Sequence, residues 1–329
     1  MNALSGARGR IAAILVVAVL IGLPHLLRPY GIYLLSMWAV LSIAAVGLNL
    51  TLGYAGQVSL AQAAFVGIGA YATALLTTHG WPFVAALPIA AILAFAVGWL
   101  LGYPALRVQS HYLAFVTLAF STLAFLVFRN EEWLTGGIYG ISRIPRPTLL
   151  GWSTKDPILF FYLCLLALAV VLAGLAKVLH SPWGRAFVAL RENPARAMSL
   201  GVDTRAYTLL AFAIGSGLGG VAGAFYAPLV QFIDPASFSL LLSFSLLLMV
   251  VVGGIGFFWG PLIGAVVAVL LPEWLRFTQG YYLIIYAACV MVLMAFCPTG
   301  LLGLVDRISR YYGPQPNETP PVGGAEVPP

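Results

Sequence analysis

The side chains best suited to polar chemistry in this sequence sit between two apolar runs, in residues 49–62, NLTLGYAGQVSLAQ. Asn49, Gln57, Ser59 and Gln62 offer donors and acceptors without charge. Gly53 and Gly56 let the backbone bend between them. Gln57 followed by Ser59 and Gln62 predicts the opening of a short helix rather than a solvated loop. Irregular backbone at membrane depth is tolerated only where protein covers it or a water-filled cavity lies beside it. Two readings follow. One is a broken helix on a translocation path, with the four side chains lining or shaping it and freed carbonyls holding a polar solute. The other is interhelical glue, at about 0.6–2 kcal/mol per polar side chain. Spacing alone leaves both open.

A second candidate is the polar stretch 181–205, SPWGRAFVALRENPARAMSLGVDTR. A short helix is expected from Arg185 to Arg191, with Phe187, Val188 and Leu190 available for burial. Asn193 is placed to cap a second helix that begins at Pro194. Gly201 stands where a glycine stop belongs. Two short capped helices carrying charge and apolar groups predict a docking surface, with Arg185, Arg191, Glu192 and Arg196 as its charged contacts. The plainer alternative is a loop whose arginines only fix orientation.

The third is glycine-rich. Gly215, Gly217 and Gly220 match the spacing of a dinucleotide-binding fingerprint. That fingerprint needs a preceding strand and an acidic residue about 20 positions on, and here the glycines sit inside an apolar run. Gly215, Gly219 and Gly223 instead recur every fourth residue, on one helix face, where they permit close helix packing.

Several chemistries are excluded by what is missing. The interiors of the apolar runs hold no Asp or Glu, with Asp234 and Glu273 at run ends, so a proton relay inside a membrane lacks its parts. A sodium-coupled carrier, which can hold its ion on carbonyls, is not excluded. Lys155 and Lys177 are the two lysines, and neither ends a phosphate-binding loop. Cys164, Cys289 and Cys297 lie in apolar segments without CxxC spacing, and His25, His79, His111 and His180 are scattered singly. They form no metal site, and no catalytic constellation is visible, so the chain is not expected to be an enzyme.

The elements that carry these residues follow from composition. Of 329 residues, 61% are hydrophobic and 8% charged, with a mean hydropathy of +0.99, whereas soluble domains hold about 25% charged residues. The fold class is therefore an all-α polytopic membrane protein. A ruler of about 20 apolar residues per crossing places spans near 11–27, 31–51, 63–79, 83–103, 110–129, 157–179, 206–230, 238–256, 260–275 and 281–297. That makes about ten transmembrane helices, with a broken or re-entrant segment near 49–62 and a short ninth span able to pair with the eighth as a re-entrant hairpin. Arg8 and Arg10 precede Ile11–Leu23 without a small-x-small cleavage site, so residues 1–30 are expected to be a retained signal-anchor helix. The net charge of +6 resides at the ends of apolar runs, which suits topology rather than nucleic acid. Counting those charges by loop puts both termini in the cytoplasm, with residues 307–329 as a proline-rich tail expected to be disordered. The longest outer loop, Asn130–Asp156, carries LTGGIYGI at 134–141, suited to a periplasmic partner or a lid.

Residues 52–71, LGYAGQVSLAQAAFVGIGAY, resemble the signature stretch of membrane permeases from branched-chain amino acid ABC importers, of the LivM type. The stretch 184–192, GRAFVALRE, through Leu200 and Gly201 resembles that family's coupling loop, and residues 211–227 its following span. Val252–Gly256, Trp259–Gly264 and the Thr135, Gly136, Gly137 segment fit as well, so the resemblance runs over residues 31–306. It implies a permease subunit in the bacterial inner membrane, forming half of a path and pairing with a second, non-identical permease. It further implies two cytoplasmic ATPases and a periplasmic substrate-binding protein, with ATP and Mg bound on the ATPases and no cofactor in this chain. Residues 181–205 would be where ATPase motion is transmitted. Permeases of this architecture also serve urea, short-amide and aromatic-acid importers, and these remain alternatives beside the stand-alone sodium-coupled carrier.

Overall fold

A computed structural model describes residues 19–105, 110–149, 152–154, 156–274, 281, 285, 288, 291 and 300–304. The architecture is a bundle of apolar helices: α1 (Pro29–Asn49), α2 (Gln62–Thr78), α3 (Phe83–Ala105), α4 (Ser110–Asn130) and α5 (Pro157–His180). Two short helices follow, α6 (Pro182–Glu192) and α7 (Pro194–Ser199), then α8 (Thr204–Val230), α9 (Leu240–Gly253) and α10 (Gly260–Trp274). In a bilayer every backbone polar group needs an internal partner, which makes helices the natural state of such apolar runs.

Five helical stretches are long and apolar enough to cross a membrane: Pro29–Tyr54, Phe83–Ala105, Tyr112–Asn130, Pro157–His180 and Thr204–Val230. Three shorter apolar helices accompany them, and these differ from plain spans. α9 and α10 have 14 and 15 residues, so each rises only about 21–23 Å against a hydrocarbon core of about 30 Å. They pack on each other across a tight turn: a side chain on Gly253 would strike the Gly260 carbonyl, and one on Gly264 the Met249 carbonyl. The expected spans 238–256 and 260–275 are thus a short helical hairpin. The N-terminal span is described only at residues 19–26, which are helical. Most of the expected tenth span, together with Cys289, Cys297 and the tail 307–329, lies outside the described residues.

α8 stands at the centre, walled by α1, α2 and α3. Its small residues face all three neighbours rather than one. A Cβ on Gly215 would lie 2.6 Å from the Gly47 carbonyl of α1, and one on Gly223 would lie 2.6 Å from the Ala70 nitrogen of α2. Gly219 meets Gln62 and Phe65 at 3.0 Å, while Gly220, outside the four-residue repeat, abuts Ala90 and Ala94 of α3. Asp203 caps the helix, its Oδ1 accepting from the amides of Arg205 and Ala206 at 3.0 and 3.1 Å. Asp203→Ala should therefore cost about 1 kcal/mol, or roughly 2–4 °C of melting midpoint in detergent.

At the opposite end of α8 the chain is pinned to the loop that precedes α5. Strand β1 (Ile141–Ser142) pairs antiparallel with β4 (Phe232–Ile233), and β2 (Thr148–Leu149) with β3 (Trp152–Ser153). Thr135 donates to the carbonyls of Phe128 and Glu131 at 2.7 and 2.9 Å, and Gly136, Gly137 and Gly140 all hold positive φ. The Thr-Gly-Gly segment is therefore a tight turn that leaves Trp133 and Tyr139 exposed.

Candidate docking face and helix breaks

The docking candidate is built by local capping. Ser181 Oγ accepts from the Trp183 amide at 3.2 Å and Pro182 opens α6. Asn193 Oδ1 accepts from the Arg196 amide at 3.0 Å and Pro194 opens α7. Gly201, at φ +82°, turns the chain away. One face of α6 is buried: Gly184 rests on the Leu179 carbonyl, and Phe187 and Leu190 point inward. Phe187 joins Val46, Leu50, Ala55, Leu175 and Ala211 in an apolar cluster, edge-on to Tyr207 at 6.4 Å. Val188, expected to be available for burial, is 41% exposed, because the helix turn that buries Phe187 and Leu190 carries it to the opposite side.

The outward surface combines charge with uncovered apolar groups. Arg185, Glu192 and Arg196 are exposed, as are Trp183 and Met198, and Leu200 is 83% exposed. Arg191 turns the other way. The residue is exposed overall, but Nη1 donates to the Gly53 carbonyl at 2.6 Å.

Gly53 belongs to the break that follows α1. Helix α1 widens at its end into a π-helical turn, Leu50–Tyr54. Gly56, at φ +70°, then stops it. Residues 56–61 are not helical, so the structure opens the next helix at Gln62 and leaves Gln57 and Ser59 in the connecting segment. That corrects the expectation of a helix start at Gln57, and the positive φ at Gly56 is the reason.

All four polar candidates have hydrogen-bond partners inside the subunit, and three of them are buried. Asn49, 1% exposed, donates from Nδ2 to the Phe257 carbonyl at 3.0 Å and accepts at Oδ1 from the Gly256 amide at 2.9 Å. Gln62, 2% exposed, donates to the carbonyls of Ala44 and Gly215 at 3.0 and 3.2 Å, tying α1 and α8 to the start of α2. Ser59 is buried and accepts from the Ala61 amide at 3.3 Å. Gln57 is half-buried and donates to the Ala55 carbonyl at 3.3 Å. Asn49, Ser59 and Gln62 are each buried within the subunit.

Two residues unmarked in the sequence complete the break. Thr117 of α4 accepts from the Leu60 amide, and Ser243 of α9 accepts from the Ala63 amide, both at 3.0 Å. They satisfy backbone donors at the start of α2 that no intrahelical carbonyl reaches. Each has other hydroxyls in its own apolar run, Ser121 and Thr122 near Thr117 and Ser245 near Ser243, and no local pattern distinguishes it from them. Among the described residues no group of three His, Cys, Asp or Glu side chains is positioned to hold a metal.

Comparison with known proteins places this architecture. The family described as "Branched-chain amino acid transport system / permease component" matches residues 30–297. The high-affinity branched-chain amino acid transport system permease protein LivM of Escherichia coli is 34% identical over 316 residues, covering 89% of this chain and 74% of that protein. Its Salmonella typhimurium counterpart is also 34% identical, covering 88% and 73%. The autoinducer 2 import system permease protein LsrC of E. coli is 25% identical, covering 80% and 76%. No solved structure matches. With the family match spanning most of the helical bundle, the chain belongs to the permease components of branched-chain amino acid transport systems.

Proposed function

We propose that this chain is one membrane half of an ATP-driven importer of branched-chain amino acids. The observation that carries the reading is the capped α6–α7 platform, whose apolar residues Trp183, Met198 and Leu200 lie uncovered beside Arg185 and Arg196. Exposed apolar groups rimmed by charge mark an interaction site. Its partner is a cytoplasmic ATPase subunit, with ATP and Mg bound there, and a second permease with its own ATPase completes the path. A periplasmic binding protein delivers the substrate to the opposite end. The platform and the outer loop sit at opposite ends of α5, in keeping with a cytoplasmic 181–205 and cytoplasmic termini. The two LivM relatives support the substrate class, while urea, short amides, aromatic acids and autoinducer-like solutes are the competing cargoes within the same architecture. Asn49 and Gln62 shape the path by holding the helices around it, and Ser59 by fixing the turn into α2, rather than by touching solute.

A mild-detergent pull-down of the tagged chain followed by mass spectrometry tests the assignment. Recovery of a second permease and ATPase subunits is the expected result. Recovery of the chain alone, still moving solute on an ion gradient, would replace it with a carrier. Within the complex, Leu200→Asp should cut ATPase recovery by about tenfold or more, equivalent to roughly 1.4 kcal/mol. The melting midpoint of the isolated chain should not move, because Leu200 supports nothing inside it.

A further inference from the structure

The inward turn of Arg191 connects the platform to a particular place in the bundle. Its Nη1 bonds the Gly53 carbonyl. The same nitrogen occupies the space that a side chain on Gly256 would need, and a Cβ on Gly56 would stand 3.4 Å from the Arg191 Cα. The last turn of α6 therefore rests on two helix breaks at once: residues 50–56 after α1, and residues 254–259 between α9 and α10. Those breaks are joined to each other. Asn49 holds Gly256 and Phe257 through both ends of its amide, and Gly53 packs so closely that a Cβ there would lie 2.5 Å from the Gly256 nitrogen.

The buried side chains of α6, Ala186, Phe187 and Leu190, make apolar, non-directional contacts. Such contacts can slide, whereas a charge-assisted hydrogen bond to a fixed carbonyl holds register. Non-helical turns are also where backbone angles can change without dismantling a helix. We infer that Arg191 is a positioning residue that carries displacement of α6 to both helix breaks as a unit. It does so through the Gly53 carbonyl and the Asn49 clamp. This rests on the reading of α6–α7 as the ATPase dock, and it reassigns Arg191 from a contact with the ATPase to a link behind that contact.

The test uses the full complex, purified through this chain and reconstituted into proteoliposomes with its binding protein, with leucine uptake and ATP hydrolysis measured together. Arg191→Ala should retain its ATPase subunits and hydrolyse ATP within about twofold of the unaltered complex, while leucine moved per ATP falls about tenfold or more. Arg191→Lys keeps the charge but not the planar fork, and should fall between the two. It supplies the same readout if the alanine variant is not recovered folded. Arg196→Ala, altered on the outer platform, should instead weaken ATPase recovery and leave leucine per ATP unchanged in the complexes that form. Unchanged leucine per ATP in both Arg191 variants would overturn the inference. Loss of the ATPase subunits from Arg191→Ala would also overturn it, making Arg191 a docking contact. Failure of the unaltered complex to show ATP-dependent uptake would instead defeat the importer reading itself.

Discussion

Gly223→Val will leave little of the chain as a monodisperse, folded species in detergent. A Cβ at position 223 would strike the Val66 carbonyl and lie 2.6 Å from the Ala70 nitrogen. Both are backbone atoms of α2, so no rotamer change relieves the clash. Overpacking in a closed core costs about 1–3 kcal/mol, and here the neighbour that must move is a whole helix, so the upper end of that range or beyond is expected. Gly174→Val is the matched control. Gly174 is helical in α5, and a Cβ there would meet nothing within 4 Å, so its valine variant should stay within about 0.5 kcal/mol of the parent. Size-exclusion profiles and melting midpoints of the two variants, expressed side by side, make the comparison. Equal behaviour would show that α8 and α2 do not approach this closely.

Asn49→Leu should have the next largest effect. It keeps the branched outline of the side chain, at somewhat greater volume, but removes both hydrogen bonds that join the breaks, leaving the Gly256 amide and the Phe257 carbonyl without their partner. Stranding a buried backbone group costs about 1–3 kcal/mol. The expected result is a melting midpoint lower by several degrees and faster hydrogen exchange in peptides spanning 250–258. Unchanged exchange there would mean that the two breaks are held together by something other than Asn49. The effect on stability separates this variant from Arg191→Ala, which alters coupling with the fold retained.

Local signals in the sequence were enough for the platform and too little for the breaks. Asn193, Pro194 and Gly201 act within a few residues of themselves, so capping rules place α7 from spacing alone, whereas α6, expected from Arg185, opens three residues earlier at Pro182 behind a Ser181 cap. The polar residues of 49–62 are different. Whether Asn49 and Gln62 meet solute or tie helices depends on the carbonyls of Phe257 and Gly215, which are some two hundred and some hundred and fifty positions away. No periodicity reports such partners. Apolar run length was informative here, though coarse. Residues 238–256 and 260–275 are expected as two spans able to pair as a re-entrant hairpin, and Gly253, Gly254, Gly256 and Gly260 make that turn after 14 helical residues, while the ruler alone does not say how far each arm is helical. The four-residue glycine repeat was legible in α8. That Gly220 also packs closely, against α3, follows only from α8 being surrounded.

The central claim is that this chain moves a branched-chain amino acid only as part of an ATP-driven assembly. The direct test is uptake of radiolabelled leucine into proteoliposomes holding the complex purified through this chain, with binding protein outside and ATP or ADP within. The account predicts accumulation with ATP, none with ADP, and none for liposomes holding the chain alone. Leucine uptake by the chain alone, driven by a sodium gradient and indifferent to ATP, would contradict it.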